Sequence, residues 1–486
     1  MPPAPRPLPR LPRRILVPGL VAAALALAPA APLRAATATP AAADVAVPPA
    51  DAARIAGAAL ASDRAWRRLS ELCDGIGHRL SGSAALDRAV AWARAAMVED
   101  GLDSVWLQPV KVPRWVRGQE SATLVEPGPL ELPMLGLGRS VGTPKGGITA
   151  PVVAVSSFDE MTALPPERVR GRIVLWNVPY TTYGQTVRYR SRGANEASRR
   201  GAVASLVRAI GPTGLRTPHT GNMAAYNDSF PRIPGAAVSA EDADMIQRLL
   251  DRGTEVKVHL SMQADTLPDG VSHNVIGELR GRERPDEVVV VGGHLDSWDV
   301  GQGAHDDGGG CVIAMESLRL LKELGLRPRR TLRVVLWTNE ENGARGAKVY
   351  ADSIGTRQRH VAAIESDGGV ERVVGFGFKL LKAGTDSTDT GATARLVERA
   401  RPLSRLLAGL DAAAIDGDGG GTDIEPLMKL GVPGIAHQTT MERYFQRHHT
   451  AADVMSHVDP LELRRNVAAF AIMSWALAEM PGTLVP

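Results

Sequence analysis

The sequence predicts an α/β fold: a mixed, largely parallel sheet covered by helices, interrupted by a second module of short strands. Three observations carry this. From Asn274 onward, apolar runs of strand length alternate with amphipathic runs of helix length, the pattern of a sheet buried on both faces. Between about Leu124 and Ala264 the runs are short, rich in β-formers and separated by Gly/Pro turns. A composition of 44% apolar and 22% charged residues is ordinary for a folded chain, and 486 residues suffice for two or three domains.

The elements follow in order. Arg6, Arg10, Arg13 and Arg14 precede an apolar stretch at 15–28, and small residues such as Ala36 and Ala38 come next. That is the layout of a secretory signal, expected over 1–38, too short for a comfortable membrane span. Residues 39–50 read as an Ala/Thr/Pro linker. Helical spacing predicts a helix over 51–72. Ser83 is placed to cap a second helix over 84–99. Strands are predicted at 105–112, 148–155, 172–178, 203–208 and 255–261, with a helix after the capping signal at Ser239. The last part gives strands at 274–279, 287–291, 332–338 and 361–366, and helices at 311–324 and 346–354.

Charge excludes one class of function. The formal charge is +3, but residues 1–38 hold five Arg and no Lys or acid. Without them the remainder has 51 basic and 53 acidic side chains, a balance of −2, so nucleic acid is not an expected partner. Two cysteines exclude a disulfide scaffold or a thiolate-ligated zinc ribbon.

In open α/β sheets, ligands gather at the carboxyl ends of the strands. His294 and Asp296 follow the strand at 287–291, and Asp306-Asp307 opens the helix after it. Glu340-Glu341 follows the strand at 332–338, and Asp367 follows the one at 361–366. His448-His449 lies near the C-terminus. In isolation, each is as well explained by a polar pair, a helix cap or a solvated loop. Together they place like charges at one sheet edge, which is costly unless a cation compensates. Histidines and carboxylates without thiolates suit zinc or a similar divalent ion. Five or six candidates exceed one tetrahedral site and fit two ions sharing a carboxylate.

These segments resemble a known family. Gly-His-Leu-Asp at 293–296, Gly-Ala-His-Asp-Asp-Gly-Gly-Gly at 303–310, Asn-Glu-Glu-Asn-Gly at 339–343, Glu-Ser-Asp-Gly-Gly at 365–369 and His-His-Thr-Ala-Ala-Asp at 448–453 are similar to the co-catalytic dizinc exopeptidases. That family includes leucyl aminopeptidases and glutamate carboxypeptidases, and segments 79–83, 115–118, 293–310 and 329–341 resemble its carboxypeptidase Q branch most. The resemblance spans most of residues 60–480. It implies a zinc exopeptidase domain formed by 51–123 and 269–486, with a protease-associated domain inserted at 124–268.

It also implies roles. Two Zn2+ per chain would be held by His294, Asp306, Glu341, Asp367 and His449, with Asp306 shared. Glu340 would be the general base, and Asp296 would fix the His294 ring through its other nitrogen. His449 is preferred over His448 by the family's His-Thr/Ser-x-x-Asp spacing. The Asp306–Asp307 peptide is expected to be cis. His305 is expected at most to contact substrate, and Asp423 receives no role. The implied function is hydrolysis of dipeptides or short peptides by an exported enzyme, periplasmic or extracellular, without stable membrane insertion after signal cleavage. A homodimer is the branch's assembly. The metal core leaves an aminopeptidase open. Outside peptidase chemistry stand an inactive receptor-like binding module and a glutaminyl cyclase-like acyltransferase. The Gly138–Gly142 match to G-x-S-x-G lacks the helix start that a nucleophile elbow needs.

Overall fold

Val288, Val289, Val290 and Val291 form an unbroken β-branched run, and all four are buried. A strand apolar on both faces belongs in the middle of a covered sheet. In the computed structural model, which describes residues 47–485, that strand is Arg284–His294, and it lies at the centre of the main part of the sheet. The signal at 1–38 and the linker up to 46 lie outside the described residues.

Arg330–Trp337 and Arg359–Glu365 flank the central strand, both parallel to it. Gly434–Thr439 continues the parallel run, Val373–Lys379 pairs antiparallel with it, and Ala414–Asp416 forms the edge. On the other side Lys257–Leu279 runs antiparallel to Arg330–Trp337. The helices Gly309–Glu323 and Pro460–Glu479 cover the sheet together with Pro49–Ala61. Pro460–Glu479 is buried almost all round, from Asn466 to Ala478, as an inner helix must be.

A long ribbon joins the main part to the second module. Ser104–Glu126 pairs antiparallel with Lys257–Leu279 over nearly its full length. Pro113 falls at a register shift between Val112 and Arg114, where a missing N–H does least harm to the ladder. Beyond the ribbon come Ile148–Val155, Ile173–Trp176, Ala204–Arg208, Gly235–Val238 and Met134–Gly136. Their core includes Leu175, Leu206, Val238, Ile246 and Val258. Hydrogen bonding is continuous, so among the described residues fourteen strands join one sheet.

Several expectations are refined. The helix at 84–99 is found as Ala84–Glu99, with the Ser83 hydroxyl accepting from the Leu86 N–H at 3.1 Å. The helix expected over 51–72 is two helices, Pro49–Ala61 and Arg64–Gly75; the Ser62 hydroxyl accepts from the Arg64 N–H and starts the second. The first begins two residues inside the expected linker. The boundaries near 124 and 268 both fall within continuous strands of the ribbon, because pairing carries each chain segment past them. The helices Tyr183–Arg199 and Pro460–Glu479 were not anticipated: one is too polar to show a clear stripe, the other too apolar.

His360, at the opposite end of its strand from the histidine and carboxylate cluster, makes the fold sensitive to acid. Arg333 donates to the Tyr350 hydroxyl at 2.7 Å, Tyr350 bonds His360 Nε2 at 2.9 Å, and Nδ1 lies 3.0 Å from the Gln358 carbonyl. The ring is held neutral: burial first, and then Arg333, pull it down to about 4 against the opposing pull of the Gln358 carbonyl. Its folded value lies below its unfolded one, near 6.5. This contribution is complete above the unfolded value and is lost as pH falls from about 6.5 to about 4. The difference in thermal midpoint between wild type and His360→Gln is therefore expected to shrink across that interval. A difference independent of pH would contradict it.

Candidate metal centre

Because Arg284–His294, Arg330–Trp337 and Arg359–Glu365 run parallel, their carboxyl ends share one edge of the sheet. His294 ends the first strand. Glu340 and Glu341 follow the second, in a tight loop where Asn339 and Ala344 take left-handed backbone angles. Asp367 follows the third. Asp306 comes from the irregular turn before the helix Gly309–Glu323, and His449 from the loop after the short helix Tyr444–Arg447.

The five side chains meet around Asp306. His294 Nε2 lies 3.2 Å from Asp306 Oδ1 and 3.6 Å from Asp367 Oδ1. His449 Nε2 lies 3.3 Å from Asp306 Oδ2 and 3.0 Å from Glu341 Oε2. Asp306 is thus the carboxylate between two halves, His294 with Asp367 and His449 with Glu341. Glu340 stands beside them, half-buried, with its backbone N–H donating to Asp296 Oδ1 at 3.1 Å.

A surrounding set of bonds fixes these groups. Asp307 accepts from the His294 N–H and the Gly310 N–H, both at 3.0 Å, tying the strand end to the helix start. A Cβ at Gly293 or Gly310 would collide with this carboxylate, so the close approach requires glycine at both positions. Asp453 accepts from the N–H groups of Ala304, His305 and Asp306 at 2.7–3.1 Å and clamps the turn carrying Asp306. The buried Arg79 donates to the carbonyls of Leu295, Gln302 and Gly303. The Trp298 backbone N–H donates to Glu341 Oε1 at 3.1 Å, and the Trp298 ring packs 5.7 Å from His449. The Asp306–Asp307 peptide is cis, as expected.

The residues present fit a divalent metal. Asp306 Oδ2 and Asp367 Oδ1 are buried and lack a hydrogen-bond donor, and two imidazole Nε2 atoms face carboxylate oxygens. Buried acceptors facing acceptors need a proton or a cation between them. Without a metal, protons must serve: burial opposes charge on His294 and His449, but the facing carboxylates hold both imidazoles well above their usual value. Burial, and then Asp306, push Glu341 up to about 8. The donor set is imidazole and carboxylate with no thiolate, which suits zinc and similar ions.

Some expectations need correction. Asp296 does not reach the His294 ring with its side chain. The strand ends at His294 and the chain turns, so the Asp296 backbone carbonyl meets Nδ1 at 2.9 Å and the carboxylate instead holds the Glu340 N–H. His305 does not face the cluster; its ring bonds Val370, His457 and Arg447 and is fully buried. His448 is near: its ring stacks on His449 at 3.6 Å, and Nε2 lies 3.7 Å from Asp306 Oδ2. Only His449 also touches Glu341. Asp423 is buried with both carboxylate oxygens unpartnered, while its N–H donates to Glu365. Ser140 is buried and accepts from the Gly235 N–H, a turn residue rather than a nucleophile. Cys73 and Cys311 are both free and buried. Asp453, Arg79 and Trp298 went unassigned in the sequence; for Asp453 a signal existed, its fixed place four residues after His449.

A profile of Peptidase family M28 matches residues 274–473, which contain every one of these cluster residues. Carboxypeptidase Q of Mus musculus is 42% identical over 419 residues, 86% of each chain, and that of Homo sapiens is 42% identical over 425 residues, 86% of each chain. Among solved structures, a peptidase M28 precursor from Shewanella amazonensis SB2B superposes with a TM-score of 0.83 at 33% identity, over 90% of this chain and 98% of that one. A zinc aminopeptidase from Bacillus subtilis shares the fold, with a TM-score of 0.61 at 20% identity over 86% of this chain and 96% of its own. With 42% identity to these carboxypeptidase Q relatives over 86% of its length, the chain belongs to peptidase family M28 and is a metallopeptidase of the carboxypeptidase Q kind.

Proposed function

We propose that this metallopeptidase hydrolyses the peptide bond of dipeptides or short peptides as a zinc-dependent exopeptidase with two zinc ions per chain. His294 and Asp367 would hold one ion, Glu341 and His449 the other, and Asp306 both. Zinc bound there supplies Lewis acidity, which acidifies water and polarises the peptide carbonyl. Glu340 takes the proton from the attacking water and delivers it to the leaving amine. The Asp296 carboxylate holds the Glu340 backbone, and its carbonyl fixes the His294 tautomer so that Nε2 faces Asp306. Asp453 and Asp307 keep Asp306 in place between the two imidazoles.

The observation that carries this reading is the gathering of four side chains from four segments around Asp306, with buried carboxylate oxygens left unpartnered. One feature favours an aminopeptidase instead: a cleft of about 490 Å3 beside Asp367 is lined by Glu365, Asp416 and Asp418, a setting for an ammonium group. Assay of the zinc-loaded protein on a dipeptide with free ends, with its amino end acetylated and with its carboxyl end amidated decides. The carboxypeptidase reading expects tolerance of the acetyl group, intolerance of the amide and loss of activity with a chelator. The reverse preference makes it an aminopeptidase, and no hydrolysis at all contradicts the proposal.

Residues 124–268 are proposed as a protease-associated insert, and residues 1–38 as an export signal delivering the enzyme to the periplasm or outside the cell. No helix among the described residues is long and apolar enough to cross a membrane. A homodimer is the proposed assembly, by likeness to the family branch.

A further inference from the structure

The described arginines packed into this fold mostly face acids. Arg117 pairs with Asp299 and Glu120, Arg330 with Glu287, Arg333 with Glu278 and Arg68 with Asp100. Arg139 does not. It is half-buried, and its guanidinium makes a single bond, NH2 to the Asn342 carbonyl at 3.2 Å. The charge felt most at this group is another cation, Arg345. A partly desolvated guanidinium with four unused donors is a site waiting for an anion.

Its position is specific. Asn342 follows Glu340 and Glu341 directly, so Arg139 sits on the loop that presents both. The neighbouring Gly138 lies against the ring of Trp298, which packs on His449. The backbone on either side is pinned: Gly138 N–H donates to Gly221, Met223 N–H to Gly138, and Ser140 N–H to Leu137. Arg139 itself takes φ of 69°, a region that favours glycine, yet an arginine stands there. Arg190 also lacks a carboxylate, but it is closed off by Tyr183, Thr220 and Gly221.

Peptide chemistry connects this placement to a ligand. In a dipeptide, the leaving nitrogen and the terminal carboxylate are attached to the same α-carbon. A group that receives the carboxylate must therefore stand close to the group that protonates the leaving nitrogen. Glu340 and the carbonyl holding Arg139 are two residues apart on one loop. The Asp367 side offers no alternative: its cleft is lined by Glu365, Asp416 and Asp418, and no Lys or Arg lines it, although Lys379 pairs with Asp418 at its rim. Resting on the exopeptidase reading above, we propose that Arg139, supplied by the second module, binds the free C-terminal carboxylate of the substrate. It is thereby the residue through which a free carboxyl end on the leaving residue is told from a blocked one.

The test compares zinc-loaded wild type, Arg139→Met and Arg139→Lys on one dipeptide with free ends and on its C-terminal amide, with thermal midpoints recorded for all three. Wild type is expected to prefer the free dipeptide. Arg139→Met should lose about 100-fold in kcat/KM on it, mostly through KM, with the amide rate unchanged and the midpoint near wild type. Arg139→Lys should fall between, since it keeps the charge and loses the fork. Equal discrimination by wild type and Arg139→Met overturns the assignment, as does wild-type indifference to the amide. A parallel loss on both substrates assigns Arg139 to holding the Glu340 loop and also overturns it. Failure of wild type to hydrolyse either substrate overturns the exopeptidase reading itself, with every variant then equally inactive.

Discussion

Replacing Glu340 by Gln is expected to lower kcat about 100- to 10,000-fold while zinc content and thermal midpoint stay at wild-type values. The expectation follows from how little else Glu340 does. Its backbone is held by Asp296, but its carboxylate makes no hydrogen bond or ion pair among the described residues. Gln has the same shape and leaves the backbone bond intact, so no native contact is lost. What disappears is a group able to accept a proton. Its neighbour Glu341 behaves oppositely. It is buried, bonded to Trp298 and in contact with His449, so Glu341→Gln should impair metal binding. Measured kcat alongside metal analysis separates the two. Full activity in Glu340→Gln would remove it from the general-base role.

The second large effect is expected at Asp306. It is the carboxylate in contact with both imidazoles, through different oxygens. Asp306→Asn replaces one anionic oxygen with an N–H2 that cannot ligate, so it should weaken both sites and abolish measurable turnover. A readout independent of turnover exists. Ligands that bind only the folded state stabilise it, by about 2.7 kcal/mol at a free concentration 100 times Kd. Zinc should therefore raise the wild-type thermal midpoint and leave that of Asp306→Asn almost unmoved. A variant that still responds like wild type would show that Asp306 is not shared.

The proposed ligands were legible because parallel strands bring their carboxyl ends to one edge, so residues next to three predicted strands had to be neighbours. That rule alone brought His294, Asp296, Glu340, Glu341 and Asp367 together as candidates; choosing His294, Glu341 and Asp367 among them as ligands, and adding Asp306 and His449, needed the motif. The less legible parts depend on turns and distant partners. The Asp296 contact was misassigned because nothing in the sequence shows that the chain turns after His294 so as to bring the Asp296 carbonyl, not its carboxylate, to the ring. The Asp453 clamp joins residues nearly 150 apart. Arg139 lies in a segment whose most conspicuous feature is a false match to a serine-hydrolase pattern, and its relation to Asn342 spans about 200 residues. In the fold, the apolar periodicity at 51–72 runs straight through Ser62, and only the Ser62 hydroxyl bond to Arg64 reveals two helices. The ends of the second module were hidden because the ribbon continues through them.

The most direct test of the account is the zinc content of the purified, fully active protein, titrated back from the metal-free form while the thermal midpoint is followed. Two zinc ions per chain are expected, the same two in Glu340→Gln, and close to none in Asp306→Asn. A fully active protein saturated by one zinc per chain would contradict the shared-carboxylate centre.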